Sequence, residues 1–187
     1  MKVHLCCGDV YLSGHINVDI GGRKLRKGEA NPNLTTLDRY FTRPFSTEFS
    51  KRTRGECIVD KKMNLTENWM DFSNNSVDEI VMISAIEHFT KRDAAHIVGE
   101  ARRVLVSGGR FIFDFPDIHE DVRKHYKTDP EWLMELIYCN QKNEYSTHKW
   151  GYTRKTIKEL LGDSWKVQFK TVVKHDYPMI GVVARKL

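Results

Sequence analysis

Glu87 and His88 stand side by side just past an apolar run in "VDEIVMISAIEHF", and Asp19 closes another, "INVDI". An acid and an imidazole at the end of a strand could position or deprotonate a reacting group. A carboxylate at the end of a strand could accept both hydroxyls of a ribose. Gly8, in the loop before "INVDI", permits a turn that a Cβ would hinder and lets a ligand approach the backbone. Asp117 follows Pro116 at the end of a third run, "RFIFDFPD". His148, Trp150 and Tyr152 alternate in "HKWGYT", where aromatic faces could form a wall or lid favouring a cation. Each has a plainer use. A Glu-His pair can cap a helix start, "PD" can end a strand in a turn, and the aromatic loop can simply pack on the core. Only their convergence in space would make a site.

The elements that must position them alternate. Val3 to Leu5, Ile16 to Ile20, Cys57 to Asp60, Ile80 to Ser84 and "RFIFDF" read as short buried strands. Thr90 is placed to cap a helix whose Ala94, Ile97, Val98, Ala101, Val104 and Leu105 share one face, with Gly108-Gly109 as its stop. Further helices are expected at about 119–126, at about 130–140, and from the cap Thr153 to Leu161. "WKVQFKTVV" and "PMIGVVARKL" close the chain as a strand pair. Leu37, Tyr40, Phe41 and Phe45 recur at helical spacing, interrupted by Pro44.

Strands alternating with helices predict an α/β fold: a doubly wound, mostly parallel Rossmann-like sheet with an antiparallel strand pair at its C-terminal edge. In such sheets ligands lie beyond the carboxyl ends of the strands, where strand order reverses. Cys6 to Gly8, Asp19, Asp60, Ser84 to His88 and Asp114 to Asp117 should therefore share one rim. Only about ten residues separate the first two strands, fewer than a helical crossover usually needs, so the first crossover must be trimmed.

Bulk properties narrow the class. The 187 residues, 40% apolar and 29% charged, suit one globular domain over 1–187. No run is long enough to span a bilayer, and no signal-peptide pattern is present, so a cytoplasmic location is expected. Cys6, Cys7, Cys57 and Cys139 make no CxxC pair or disulfide framework, and their spacing argues for no metal. The absence of GxGxxG counts against NAD or FAD. Residues 21–55 hold nine Lys or Arg against Glu29, Asp38 and Glu48, so the chain's net charge of +5 resides in this insertion or lid. With Tyr40 and Phe41 among them, these cations could attract a nucleic acid; a solvated face is the simpler account.

In their order along the chain, four stretches resemble small class I S-adenosylmethionine-dependent methyltransferases of the type 11-like group. "HLCCGDVYLSGHINVDI" is similar to that group's "LGCG…GWINVDI", and "NNSVDEIVMISAIEHF" to its "SVDEI…HVLEHF". "EARRVLVSGGRFIFDFPD" and "HKWGYT" match later elements of the group. The resemblance implies S-adenosyl-L-methionine as cofactor, with Cys6, Cys7 and Gly8 near its amino-acid part and Asp19 on its ribose. The adenine-binding acid falls on Asp60 or Asn64, depending on alignment. Cys6 replaces a usual glycine and Ser84, also at the cofactor rim, a common histidine. His88 and Glu87 become candidates for positioning or deprotonating the acceptor, and Asp117, His148, Trp150 and Tyr152 for binding it. The expected function is methyl transfer to a small-molecule or glycan-type acceptor. A nucleic-acid methyltransferase using 21–55, or a non-catalytic cofactor-binding relative, are the alternatives. Oligomeric state is open.

Overall fold

The computed structural model describes residues 1–31, 34–37, 55–174 and 177–187. Of the expected helical stretch only Leu37 is among them; Tyr40, Phe41 and Phe45, and much of the basic segment, lie outside. Nine strands are defined among the described residues: β1 (Lys2–Leu5), β2 (Tyr11–Leu12), β3 (Ile16–Asp19), β4 (Leu34–Thr35), β5 (Lys61–Lys62), β6 (Val77–Met82), β7 (Leu105–Pro116), β8 (Trp165–Lys174) and β9 (Tyr177–Lys186). The α-helices are α1 (Lys91–Val104), α2 (Ile118–His125), α3 (Pro130–Tyr138) and α4 (Arg154–Leu161).

Seven strands form one sheet in the order β5-β3-β1-β6-β7-β9-β8, and β2 pairs with β4 apart from it. The first five run parallel, whereas β9 is antiparallel to both β7 and β8. The chain moves outward from β1 through β3 to β5, then returns to β6 on the other side of β1. Strand order thus reverses between β1 and β6, which is where such sheets open a crevice. This is the predicted doubly wound architecture with its antiparallel edge.

Period-two alternation explains why β6 is apolar on both faces. Ile80 and Met82 join the main core with Ala94, Ile97 and Ala101 of α1, while Val81 and Ile83 pack with Val10, Leu12 and Ile112. Val10 and Leu12 belong to the trimmed first crossover. Between β1 and β3 the chain makes no helix, and these two residues cover part of the face a helix would otherwise cover. At the opposite end of the strands from the rim, Glu79 is 1% exposed and satisfied by Lys2, His15 and Arg110.

Two boundaries differ from expectation. The apolar run around Ile58 is buried but does not form the third strand of the sheet. Arg23 N–H donates to Cys57 O and Val59 N–H to Arg23 O, so the run pairs with the loop after β3; β3 itself is reached from Asp60 onward, with Lys61–Lys62 in its ladder. The glycine pair does not stop α1. That helix ends at Val104 and passes directly into β7. Gly108, at φ +77°, lies within that strand, near the register shift between β6 and β7.

Helix α4 is short, so its ends matter. Thr153 Oγ1 accepts Thr156 N–H at 3.2 Å, and Thr156 Oγ1 accepts Thr153 N–H at 2.9 Å, a reciprocal cap. Replacing Thr153 by Ala removes one half. The expected loss is about 1 kcal/mol, read as a melting temperature lower by roughly 2–4 °C in a chain of this size.

Candidate functional site

The rim begins where β1 ends. Cys6 has φ +50° and Gly8 φ +52°, both in the left-handed region. That explains why glycine is the natural residue at the Cys6 position: an L side chain is strained there. The Cys6 side chain packs against the core, and burial together with the Asp19 and Glu87 carboxylates pushes its thiol well above the usual range. Cys7 is buried, directs its thiol to Ile58 O at 3.7 Å and is hydrogen-bonded to Cys57, which also raises it. Both thiols therefore stay protonated at neutral pH.

Asp19, at the end of β3, ties this loop down. Its Oδ2 accepts Gly8 N–H at 2.9 Å and its Oδ1 accepts Gly21 N–H at 3.1 Å. One carboxylate thus holds two loops at the mouth of the crevice. The two candidates for the next strand are separated by register. Asp60 pairs beside Asn17, below the rim, and its carboxylate accepts Asn17 N–H at 2.7 Å and Tyr11 O–H at 2.6 Å. Asn64 follows β5, one residue past Met63, whose N–H donates to Asp19 O. Its amide oxygen accepts Thr66 N–H and its amide nitrogen donates to Glu67.

Beyond β6, Ser84 also has positive φ, +49°, and its N–H donates to Asp114 Oδ1 at 2.6 Å. Asp114 is fully buried, so it braces the rim from β7 rather than facing the crevice. A 3-10 turn, Ile86–His88, follows. Glu87 is 3% exposed, and its carbonyl accepts the N–H groups of Lys149 and Trp150 at 2.8 and 3.2 Å. Burial raises the Tyr152 hydroxyl, and the Glu87 carboxylate adds to the rise there and at Cys6. His88 Nδ1 meets Thr147 O at 3.2 Å, and its ring stands edge-on to His148 at 4.8 Å between centroids. His148 Nδ1 meets Leu136 O at 3.0 Å, and burial lowers its pKa.

The "HKWGYT" loop thus lies against the Glu87-His88 turn, as its chemistry required. Its members are not equivalent. Trp150 is 44% exposed and under the Lys91 ammonium, whereas Tyr152 is 3% exposed in the core with its ring edge-on to Phe115. Tyr152 therefore departs from the expected acceptor wall: it packs under the loop. Asp117 caps α2 by accepting Glu120 N–H and borders a cleft of about 820 Å³. Arg123, Lys124, Arg154 and Lys155 also line that cleft, and Cys6, Gly8 and Asp19 do not. These four cations were not singled out in the sequence. They sit on two different helices, and no spacing pattern links them.

The family described as Methyltransferase domain matches residues 35–113, less than half of the chain and starting after the Cys6–Gly8 loop. No curated protein matches. Among solved structures, a SAM-dependent methyltransferase of Methanosarcina mazei superimposes with TM-score 0.56 at 18% identity, covering 100% of this chain and 92% of that one. Magnesium protoporphyrin IX methyltransferase of Synechocystis, with SAH bound, gives 0.52 at 11%, covering 100% and 74%. A possible histamine N-methyltransferase of Thermotoga maritima gives 0.52 at 14%, covering 100% and 82%. At these identities the structures establish the fold. That fold is the class I methyltransferase-like one, and the partial family match falls within it. Among the described residues, no helix is long and apolar enough to cross a membrane.

Proposed function

We propose that the chain transfers the S-adenosylmethionine methyl group to a small-molecule or glycan-type acceptor, one bearing an anionic group. The observation supporting this is the cleft at the carboxyl end of β7, whose size suits a small molecule and whose rim carries Lys124, Arg154 and Lys155, besides Asp117 and an Arg123 paired with Glu120. Backbone at Cys6–Gly8 and Ser84 receives the amino-acid part of the cofactor, Asp19 its ribose and Asn64 its adenine. Asn64 is preferred to Asp60 because it follows β5 at the rim, whereas Asp60 lies beside Asn17 below it. The cofactor's methyl is electrophilic from the outset, so the protein's task is to hold the nucleophile in line with the C–S bond. Glu87, His88, His148 and Trp150 frame that approach, with Asp117 at the acceptor's far end.

Arg23, in the basic segment, is engaged by Glu29 and Glu56, which leaves it a poor phosphate ligand. The test is transfer of labelled methyl from the cofactor into fractionated metabolites, glycans and RNA. Label in an anionic low-mass or glycan fraction is expected; label in RNA alone would overturn the reading. With an acceptor in hand, Arg154→Glu should raise KM for it about 10-fold, with kcat nearly unchanged, because a peripheral cation contributes uniform binding. Glu at the first turn of α4 suits the helix dipole, so the fold is spared.

A further inference from the structure

We propose that His88, Cys139 and His148 form a binding site for a divalent transition metal of the zinc class. The three residues come from separate places. His88 closes the turn after β6, Cys139 caps the end of α3, and His148 lies in the following loop. One donor atom from each lies within 4.8 Å of the others. Tetrahedral zinc with Zn–N of about 2.0 Å and Zn–S of about 2.3 Å needs donor separations of roughly 3.3–3.5 Å. Side-chain movement of about 1 Å therefore closes the site.

A carbonyl oxygen only accepts, so the contacts of His88 Nδ1 with Thr147 O and of His148 Nδ1 with Leu136 O put a proton on each Nδ1. The lone pair then sits on Nε2. This is the outer arrangement that fixes the tautomer of metal-bound histidines. Cys139 adds an independent observation. Its φ of +59° and ψ of −172° fall where glycine is the usual residue, and a side chain held there is strained. A helix end needs no thiol for its own sake. Two nitrogens and a sulfur select zinc or its neighbours and disfavour magnesium or calcium.

A bound ion would pin the 139–150 loop to the turn carrying Glu87, whose carbonyl already receives Lys149 and Trp150. This role does not depend on which acceptor is methylated. Three protein donors leave a fourth position for water or another ligand.

The experiment is titration of chelator-treated protein with Co²⁺, followed by absorption. Binding should saturate at about one equivalent with four-coordinate visible bands and a thiolate charge-transfer band, both displaced by Zn²⁺. Cys139→Ser should abolish the charge-transfer band, and both Cys139→Ser and His148→Gln should weaken binding more than about 100-fold, beyond the loss typical of an outer-shell change. Cys57→Ser, in the separate Cys7–Asp19–Cys57 group, should leave the spectrum unchanged. Zn²⁺ should raise the melting temperature of the parent protein and not of Cys139→Ser. Failure to saturate, a spectrum without the thiolate band, or one that survives Cys139→Ser but vanishes in Cys57→Ser would overturn the assignment. Should Cys139→Ser fail to fold, His148→Gln alone decides it.

Discussion

Asp19→Ala should lose S-adenosylhomocysteine binding by at least 100-fold in a calorimetric titration. Two effects coincide at this carboxylate. In the structure its oxygens accept Gly8 and Gly21 N–H groups, so it defines the shape of both loops at the crevice mouth. In the proposed complex the same oxygens face the ribose hydroxyls. Hydrogen bonds to a charged acceptor contribute about 1.5–3 kcal/mol each. Losing two from the ligand gives roughly 3–6 kcal/mol, or about 10²- to 10⁴-fold in affinity. Asp19→Asn keeps one acceptor oxygen and should lose less. The residue lies at the surface end of β3, so its removal should lower the melting temperature only modestly, and a folded Ala variant is the expected material. Unchanged affinity in that variant would remove Asp19 from the ribose site.

Why this carboxylate could be found in the sequence, and others could not, is a matter of where register is fixed. Parallel strands are buried on both faces and read as apolar runs, so the first polar residue after each run marks the rim. Asp19, Ser84 and Asp117 were found that way. The capped helices were equally legible, because Thr90 and Thr153 stand just before amphipathic stretches and their hydroxyls accept the N–H three residues on. Asp60 shows the limit. Its run, Cys57 to Asp60, is apolar and buried, yet its partner is Arg23 in a loop, so Asp60 stops beside Asn17 and below the rim. Local pattern reports burial and is silent on the partner. The same limit explains Gly108, which looks like a helix stop and acts inside a strand, since either use requires positive φ. In "HKWGYT" an irregular backbone provides no period, so nothing distinguished exposed Trp150 from buried Tyr152. The proposed role of Cys139 has no signal in cysteine spacing, because its partners there include His88, 51 positions away in the sequence. Cysteine spacing alone cannot report a site completed by histidines.

Asp121→Asn should stabilise the protein at pH 8 and have little effect near pH 4. Asp121, on α2, is 1% exposed, and neither carboxylate oxygen has a hydrogen-bond partner among the described residues. Burial, with Asp117 and Glu120 adding repulsion and Lys124 partly offsetting it, raises its pKa from 3.8 to about 7. The sign follows from proton counts. Between about pH 4 and 7 the folded chain keeps this proton while the unfolded chain has released it, so folding takes up protons and stability falls as pH rises. Above pH 7 the penalty is fully present. A shift of about three units corresponds to at most about 4 kcal/mol, and on the order of 2–4 kcal/mol once local relaxation is allowed. The neutral amide has no charge to desolvate, so the variant should unfold at a higher denaturant midpoint at pH 8, with the difference vanishing towards pH 4. His4 has the opposite tendency. Burial lowers it to about 4, so its contribution is lost as pH falls from about 6.5 towards 4. That contribution is common to both proteins and cancels in the comparison. A difference independent of pH would show that Asp121 is ionised at no cost in the folded state, and an Asn variant less stable at pH 8 would reverse the assignment.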